Sequence, residues 1–239
     1  MLVQIAAIAV AAVAGIAWLW RRSINKQADA LTRVADGIVF LRKSAGVTPR
    51  MVPVARTDER DAQLAETSGE IEAAGFRMLG DVEEYNRDGT SAGIARWIVS
   101  ADGHVCGWFA MTPGGPVLLL VSEDAGRAFA TTIRSAPAPG VSVPDTIRRT
   151  DVDLNESLTT AIGIHRAEVS AFGQLVAVHD LDEAFACMRR MSAHIGAWRS
   201  GQEPRGLLES DVRNIAGEHY ASVGESLIQL VNLTEMKAE

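Results

Sequence analysis

The chain has 239 residues, a net charge of −7 and two cysteines. An acidic chain lacks the excess of lysine and arginine that binding to phosphate groups requires, so we predict no nucleic-acid partner. Two cysteines allow at most one disulfide, which excludes the disulfide-rich class of small secreted proteins and suits a reducing compartment.

The chain begins with an apolar stretch at residues 2–20, which carry no formal charge and are followed by Arg21 and Arg22. A helix rises ~1.5 Å per residue, so this stretch would be about 28 Å long, close to the ~30 Å thickness of the hydrocarbon core. We therefore predict a transmembrane anchor within residues 1–20. A cleaved signal peptide is the alternative, but no basic residue precedes the stretch and its end does not resemble a cleavage site.

The charge distribution predicts the orientation of this anchor. Between Arg21 and Arg56 there are eight basic and two acidic residues, whereas residues 57–239 have a net charge of −13. Basic residues next to a membrane span favour the cytoplasmic side. We therefore expect a single-pass protein whose C-terminal body lies in the cytoplasm.

Residues 21–43 are predicted to form an amphipathic connector helix. Apolar residues recur there at heptad spacing, at Ile24, Ala28, Leu31, Ala35 and Ile38. This stripe either packs on the body of the same chain or pairs two copies through residues 24–38. Glycine and proline are frequent in residues 44–57, which we predict to be a linker.

Residues 58–144 are predicted to form an α+β domain with an antiparallel sheet. A polar helix is expected over 58–74, followed by a meander of four strands. We expect these strands at 94–100, 104–112, 116–122 and 127–134. Because the third strand is apolar on both faces, we expect it to lie in the middle of the sheet with both sides covered.

Residues 145–239 are predicted to be helical and to pack on the sheet. Apolar stripes at helical spacing run through residues 154–172, 181–198 and 204–230. Asp151 or Asp153 is expected to cap the first of these helices. Gly217 and Gly224 are the expected break points in the last one.

The motifs GFRMLGD, RAFATT and GIHRAEV occur in this order, at residues 75–81, 127–132 and 163–169. Together with the N-terminal helix, they resemble an uncharacterised family of bacterial membrane-anchored proteins with a Gly-Phe-x-x-Leu-Gly-Asp opening and a small antiparallel sheet. The resemblance implies the same layout and a bacterial origin. Together with the predicted anchor, a bacterial origin gives the bacterial inner (plasma) membrane as the expected location. It implies no activity and no site residues, because that family has no assigned activity.

No phosphate-binding loop, nucleophile elbow or zinc-protease motif is present in the sequence. His104 and Cys106 are the strongest candidates for catalysis, because residues two apart on a strand share a face and a nucleophilic thiol needs a nearby base. The alternative is that Cys106 is a small residue of the core.

A metal site is the second chemical possibility. His165 and Glu168 are three residues apart, which places both on one face of a helix. They supply only two ligands, and His165 also lies on an apolar stripe. We therefore predict no cofactor and no metal, with this pair as the candidate if one is bound.

These observations favour a non-enzymatic binding or interaction module that is tethered to the membrane through residues 2–20. A protein partner or a second copy would meet it through residues 24–38. The alternative is a small enzyme, or a carrier of an apolar ligand, that uses the His104/Cys106 face of the sheet.

Overall fold

A computed structural model describes residues 29–39, 41–43, 45–85, 89–112, 115–135 and 141–237. They form two compact units. The helical unit contains the described residues of Met1–Lys43, Gly140–Ser142 and Glu203–Glu239, and the sheet unit contains those of Ser44–Pro139 and Val143–Gln202.

The predicted anchor at residues 1–20 lies outside the described part of the chain and stays a prediction. Within the described ranges, no helix combines the length and the apolar character that a membrane span requires.

The sheet unit is built on one seven-stranded sheet whose strands lie in chain order. The strands are β1 (Arg50–Val54), β2 (Phe76–Tyr85), β3 (Ser91–Ser100), β4 (Cys106–Thr112), β5 (Gly115–Glu123), β6 (Phe129–Ser135) and β7 (Ile147–Asp153). All neighbouring strands are antiparallel except β6 and β7, which are parallel. The predicted α+β class with an antiparallel sheet is thus confirmed.

The four predicted strands correspond to β3, β4, β5 and β6. The turn between β3 and β4 contains Asp102 and Gly103, and the φ of 76° at Gly103 is in the left-handed region that favours glycine. β5 pairs with β4 on one side and with β6 on the other, as expected for a strand that is apolar on both faces.

The sheet extends beyond the predicted meander at both edges. β1 lies inside the predicted linker 44–57, where Pro53 is tolerated because an edge strand needs hydrogen bonds on one side only. β2 contains a register shift between Met78 and Gly80, which interrupts the alternation of polar and apolar residues. β7 lies in the predicted helical region 145–239 and is rich in charged residues, as edge strands often are.

Helices cover both faces of this sheet. Along β5, Leu118 and Leu120 belong to a core with helices α2 (Asp58–Ala73) and α3 (Leu158–Val169). Val121 belongs to the opposite core, which is shared with α4 (Leu181–Ser200). We call these two sides the α2/α3 face and the α4 face.

Side chains that precede the first turn fix the start of each covering helix. The hydroxyls of Thr57 and Ser157 and the carboxylate of Asp180 accept hydrogen bonds from backbone N–H groups of α2, α3 and α4. Asp151 and Asp153 do not cap α3, because both are part of β7.

The helical unit joins helices from the two ends of the chain. The helical residues 29–39 and 41–43, together called α1, share a core with α5 (Pro204–Ala216) and α6 (Tyr220–Lys237). A 3₁₀ turn at Gly217–His219 separates α5 from α6, so the chain breaks at Gly217 and not at Gly224.

The apolar stripe of the connector lies in this core. Ala35 and Ile38 are buried, and Leu31 packs against them with α5 and α6. Ile24 and Ala28 lie outside the described residues, so pairing of two copies through 24–38 stays a prediction. Within the helical unit, Asp211 is fully buried and accepts hydrogen bonds from Arg42 Nη1 (2.8 Å) and from the backbone N–H of Ser142 (2.7 Å).

Candidate functional site

The structure gives His104 and Cys106 different partners. His104 lies in the turn before β4, where its side chain is 41% exposed and its Nδ1 is 3.7 Å from Asp102 Oδ2. Cys106 is the first residue of β4 and is buried in the core of the α4 face. The rule that residues two apart share a face does not apply here, because His104 is outside the strand.

Cys106 shares its core with the other cysteine. Cys106 and Cys187 of α4 are each 1% exposed, both are free thiols, and both belong to the core of the α4 face. The interaction with the Cys106 thiol raises the pKa of Cys187, and burial raises it further. A thiol that holds its proton is a poor nucleophile, so Cys187 is not prepared for attack on a substrate.

An ion pair lies next to the two thiols. Glu123, at the end of β5, accepts hydrogen bonds from Arg190 Nε (2.9 Å) and Nη2 (2.6 Å). Glu123 is buried, whereas the Arg190 side chain is 42% exposed. Both charged groups interact electrostatically with the Cys187 thiol: Glu123 raises its pKa and Arg190 lowers it.

His165 is buried on the α2/α3 face and both of its ring nitrogens have partners. Nε2 is 3.0 Å from Ser122 Oγ, and Nδ1 is 2.9 Å from Thr132 Oγ1. Ser122 donates its own proton to the carbonyl of His104 (2.7 Å). Nε2 must therefore carry the imidazole proton, and Thr132 donates to Nδ1.

This arrangement leaves no ring nitrogen of His165 for the candidate metal site with Glu168. In the residues that the structure describes, no group of three or more His, Cys, Asp or Glu side chains is arranged to hold a metal ion. The His165 network instead connects β5 and β6 to α3.

The same network predicts a dependence of stability on pH. Burial lowers the pKa of His165 from 6.5 to about 4. Between these values the unfolded chain takes up a proton that the folded protein does not, so the free energy of unfolding decreases as the pH falls, by up to about 1.4 kcal/mol per pH unit. Replacing His165 with glutamine is expected to remove this contribution, measured by urea unfolding at pH 7 and pH 5.

The control for this measurement is His219→Gln, because the side chain of His219 is 75% exposed. That variant should retain the pH dependence of the parent protein. If the free energy of unfolding changed equally with pH in the parent protein and in the His165→Gln variant, His165 would not be the source of the pH dependence.

A buried ion-pair network on the α2/α3 face is not predicted by the sequence analysis. Arg96 in β3 is 2% exposed and Asp81 in β2 is 1% exposed. Arg96 Nε and Nη2 lie 2.7 and 3.1 Å from the two carboxylate oxygens of Asp81, and Arg60 and Asp61 of α2 complete the network. Burial raises the pKa of Asp81, but the hydrogen bonds from Arg96 and Arg60 outweigh it, so the net pKa is below 3.8.

A sequence feature does point to this network. Arg96 interrupts the apolar run of β3, and Asp81 is the last residue of the GFRMLGD motif. A charged residue in an apolar strand requires a partner when it is buried. The network joins β2 and β3 to α2. Because Asp81 and Arg96 are almost fully buried, we interpret the network as structural.

The helical unit contains a groove of about 410 Å³ that is lined by α1, α5 and α6. Leu208 and Ile228 form its apolar part, and both side chains are buried. Apart from Pro204, the rest of the lining is polar or charged, so the groove has an apolar base with ionised groups around it.

Carboxylates outnumber guanidinium groups in this groove. Arg42 is paired with Asp211 and Glu235, and Arg205 is paired with Glu209. Glu203 and Glu225 also line the groove. The groove therefore has a net negative charge even when its own ion pairs are taken into account.

The N-terminus of α5 fixes one of these carboxylates. Glu203 accepts hydrogen bonds from the backbone N–H groups of Arg205 (3.0 Å) and Gly206 (2.5 Å). These two hydrogen bonds lower the pKa of Glu203, and the bond from the Gly206 N–H has the larger effect. Glu203 is therefore ionised at neutral pH.

No relative of the chain is found among known proteins. No protein-family model matches the chain, and neither the curated proteins nor the solved structures that were searched contain a similar protein.

Proposed function

We propose that the protein is a non-enzymatic binding module, tethered to the cytoplasmic side of a bacterial inner membrane, and that the groove of the helical unit is its ligand site. The observation that carries this proposal is the groove itself, with Leu208 and Ile228 at its base and an excess of carboxylates around them. The tether rests on the uncharged residues 2–20 and the basic residues that follow them.

The chemistry of the groove defines the class of ligand. Carboxylates beside an apolar base suit a protonated amine on an aliphatic chain, since the chain covers the apolar surface and the amine meets the charge. A lysine side chain of a peptide and a free alkylamine share this chemistry. Both bind without any reaction, which agrees with the internal hydrogen bonding of His165 and with the burial of Cys187.

The alternative from the sequence, a small enzyme or apolar-ligand carrier on the His104/Cys106 face, has less support. His104 is paired with Asp102 in an exposed turn, and Cys106 is inside the core of the α4 face. Neither arrangement provides an open apolar pocket or a thiol beside an imidazole.

Binding of a lysine-rich, leucine-containing peptide is expected to weaken when groove carboxylates are neutralised. In Glu225→Gln combined with Glu235→Gln, we expect the Kd to rise about 5- to 30-fold, because each solvent-accessible ion pair contributes roughly 0.5–1 kcal/mol. The measurement is fluorescence anisotropy of the labelled peptide at fixed ionic strength. A free alkylamine, used as competitor, shows whether the amine alone is sufficient.

The control is Glu218→Gln, which removes one negative charge at an 89% exposed position in the 3₁₀ turn, outside the groove lining, and is compared with each groove substitution made singly. Equal weakening in this variant would indicate general electrostatic attraction and would overturn the assignment of the groove. Absence of peptide binding at about 1 mM would overturn the proposed ligand class. Recovery of the full chain in the soluble fraction after bacterial expression would refute the tether.

A further inference from the structure

We propose that the ligand of the groove is a linear aliphatic polyamine, which lies along α6 with one end amine at Glu225 and the other at Glu235. This inference rests on the proposed function, because it concerns the same groove. It goes further in requiring two cationic ends and a defined chain length, neither of which a single amine provides.

The first observation is the shape of the α6 side of the groove. The lining residues of α6 are Glu225, Ile228, Gln229, Asn232 and Glu235. They follow one another at intervals of one, three or four residues and therefore form one stripe along the helix. At a rise of ~1.5 Å per residue, Glu225 and Glu235 are about 15 Å apart along the helix axis. The lining is thus elongated and has a carboxylate at each end.

The second observation is the charge at the Glu235 end. Arg42 Nε donates to Glu235 (3.0 Å), and Arg42 Nη1 donates to Asp211 (2.8 Å). Asp211 is fully buried, whereas the side chain of Glu235 is 32% exposed. Two carboxylates share one guanidinium, so these three groups have a net negative charge. Glu235 is the carboxylate of this group that a ligand can reach.

The opposite end of the groove also has more carboxylates than guanidinium groups. Arg205 Nε donates to Glu209 (3.0 Å), and Glu203 is hydrogen-bonded to backbone N–H groups. Glu225 accepts a hydrogen bond from the uncharged amide of Gln229 (3.2 Å). Three carboxylates therefore surround one guanidinium, and an ammonium group at this end would be attracted by the excess negative charge.

The middle of the groove suits the chain between two amines. Leu208 and Ile228 provide buried apolar surface that methylene groups can cover. Gln229 uses its amide nitrogen for Glu225, which leaves the amide oxygen to accept a hydrogen bond, and Asn232 has a second amide oxygen. A polyamine alternates methylene segments with amines, so its inner amines would donate to these oxygens.

The separation of the end carboxylates sets the length of the ligand. An extended chain advances about 1.2 Å per bond, so a linear tetraamine with thirteen bonds between its end nitrogens is about 16 Å long. A compact polyamine reaches one end only. Glu225, Gln229 and Asn232 are exposed, so the groove is open along its length and a flexible chain can enter it from the solvent.

The test compares a long and a compact polyamine by isothermal titration calorimetry of the purified full-length protein at fixed ionic strength. The long probe is spermine. The compact probe is tris(2-aminoethyl)amine, whose primary amines are six bonds, or about 7 Å, apart. We expect the Kd of spermine to be at least about 5-fold lower, because only spermine forms ion pairs at both ends.

Single variants show whether spermine spans the groove. In Glu235→Gln, the Kd of spermine should rise about 3- to 5-fold while that of the compact amine stays constant. In Glu225→Gln, both Kd values should rise. Asn232→Lys adds a positive charge to the stripe at an exposed position without breaking an ion pair, and should weaken spermine binding at least as much. Glu218→Gln, outside the groove, is the control and should change neither Kd.

Equal affinities for the two amines would overturn the inference, as would spermine binding that is unchanged in both Glu235→Gln and Asn232→Lys. If the lysine-rich peptide still bound the parent protein and bound Glu225→Gln more weakly, the proposed function would stand without the polyamine. If neither spermine nor the peptide bound, both proposals would be wrong.

Discussion

Replacing Gly107 with alanine is expected to lower the free energy of unfolding by about 3 kcal/mol, because the new methyl group has no room. Gly107 lies in β4 opposite Leu120 of β5. A Cβ atom at this position would be 2.0 Å from the carbonyl oxygen of Leu119. That oxygen belongs to the backbone of a central strand, so it cannot move without disturbing the pairing of β4 and β5.

Gly163→Ala is the matched control for this substitution. Gly163 is an exposed residue of α3, and a Cβ atom there has no neighbour within 4 Å. Since alanine favours helices over glycine, this variant is expected to be more stable by up to about 1 kcal/mol. Urea unfolding followed by circular dichroism measures both changes, and equal effects of the two substitutions would contradict the steric explanation.

Replacing Asp81 with asparagine is expected to cost about 3–5 kcal/mol, because it leaves the buried guanidinium of Arg96 without its main charge partner. Asp61 is more exposed and provides only one contact to Arg96. The loss should be much smaller in Asp151→Asn, since that carboxylate is 54% exposed and pairs with Arg149 near the solvent.

Two further measurements separate charge from packing at this site. Adding Arg96→Met to Asp81→Asn should recover part of the lost stability, because the unpaired buried charge is removed. The lowered pKa of Asp81 also means that its contribution is present above pH 3.8 and is lost as the pH falls through the folded pKa. If the changes in the free energy of unfolding of the two single variants added up to that of the double variant, Asp81 and Arg96 would act independently.

The sequence predicts the centre of the sheet better than its edges. β3 to β6 have apolar alternation or continuous apolar runs bounded by turn residues, and both patterns follow from burial. β1 contains a proline, and β7 contains four charged residues. Edge strands pair on one side only and tolerate such residues, so their sequences resemble loops.

The candidate site is predictable only in part, because its contacts are long-range. The spacing of His104 and Cys106 suggests a pair, but the fold places Cys106 in one core with Cys187 of α4, which no local pattern specifies. His165 was recognisable as a residue of an apolar stripe, whereas its hydroxyl partners on β5 and β6 depend on strand register. The groove forms only where α1 packs against α5 and α6. In the sequence, nearly all residues of the sheet unit lie between α1 and α5.

The helical unit, assembled from both ends of the chain, has a consequence for synthesis on the ribosome. Ala35 and Ile38 reach their buried positions only when α5 and α6 have been translated. At about 5–20 residues per second, the intervening chain takes roughly 10–40 s to appear. During this interval the apolar stripe of α1 is exposed and open to chaperones or neighbouring nascent chains, whereas residues 44–202 already contain all the strands of the sheet unit.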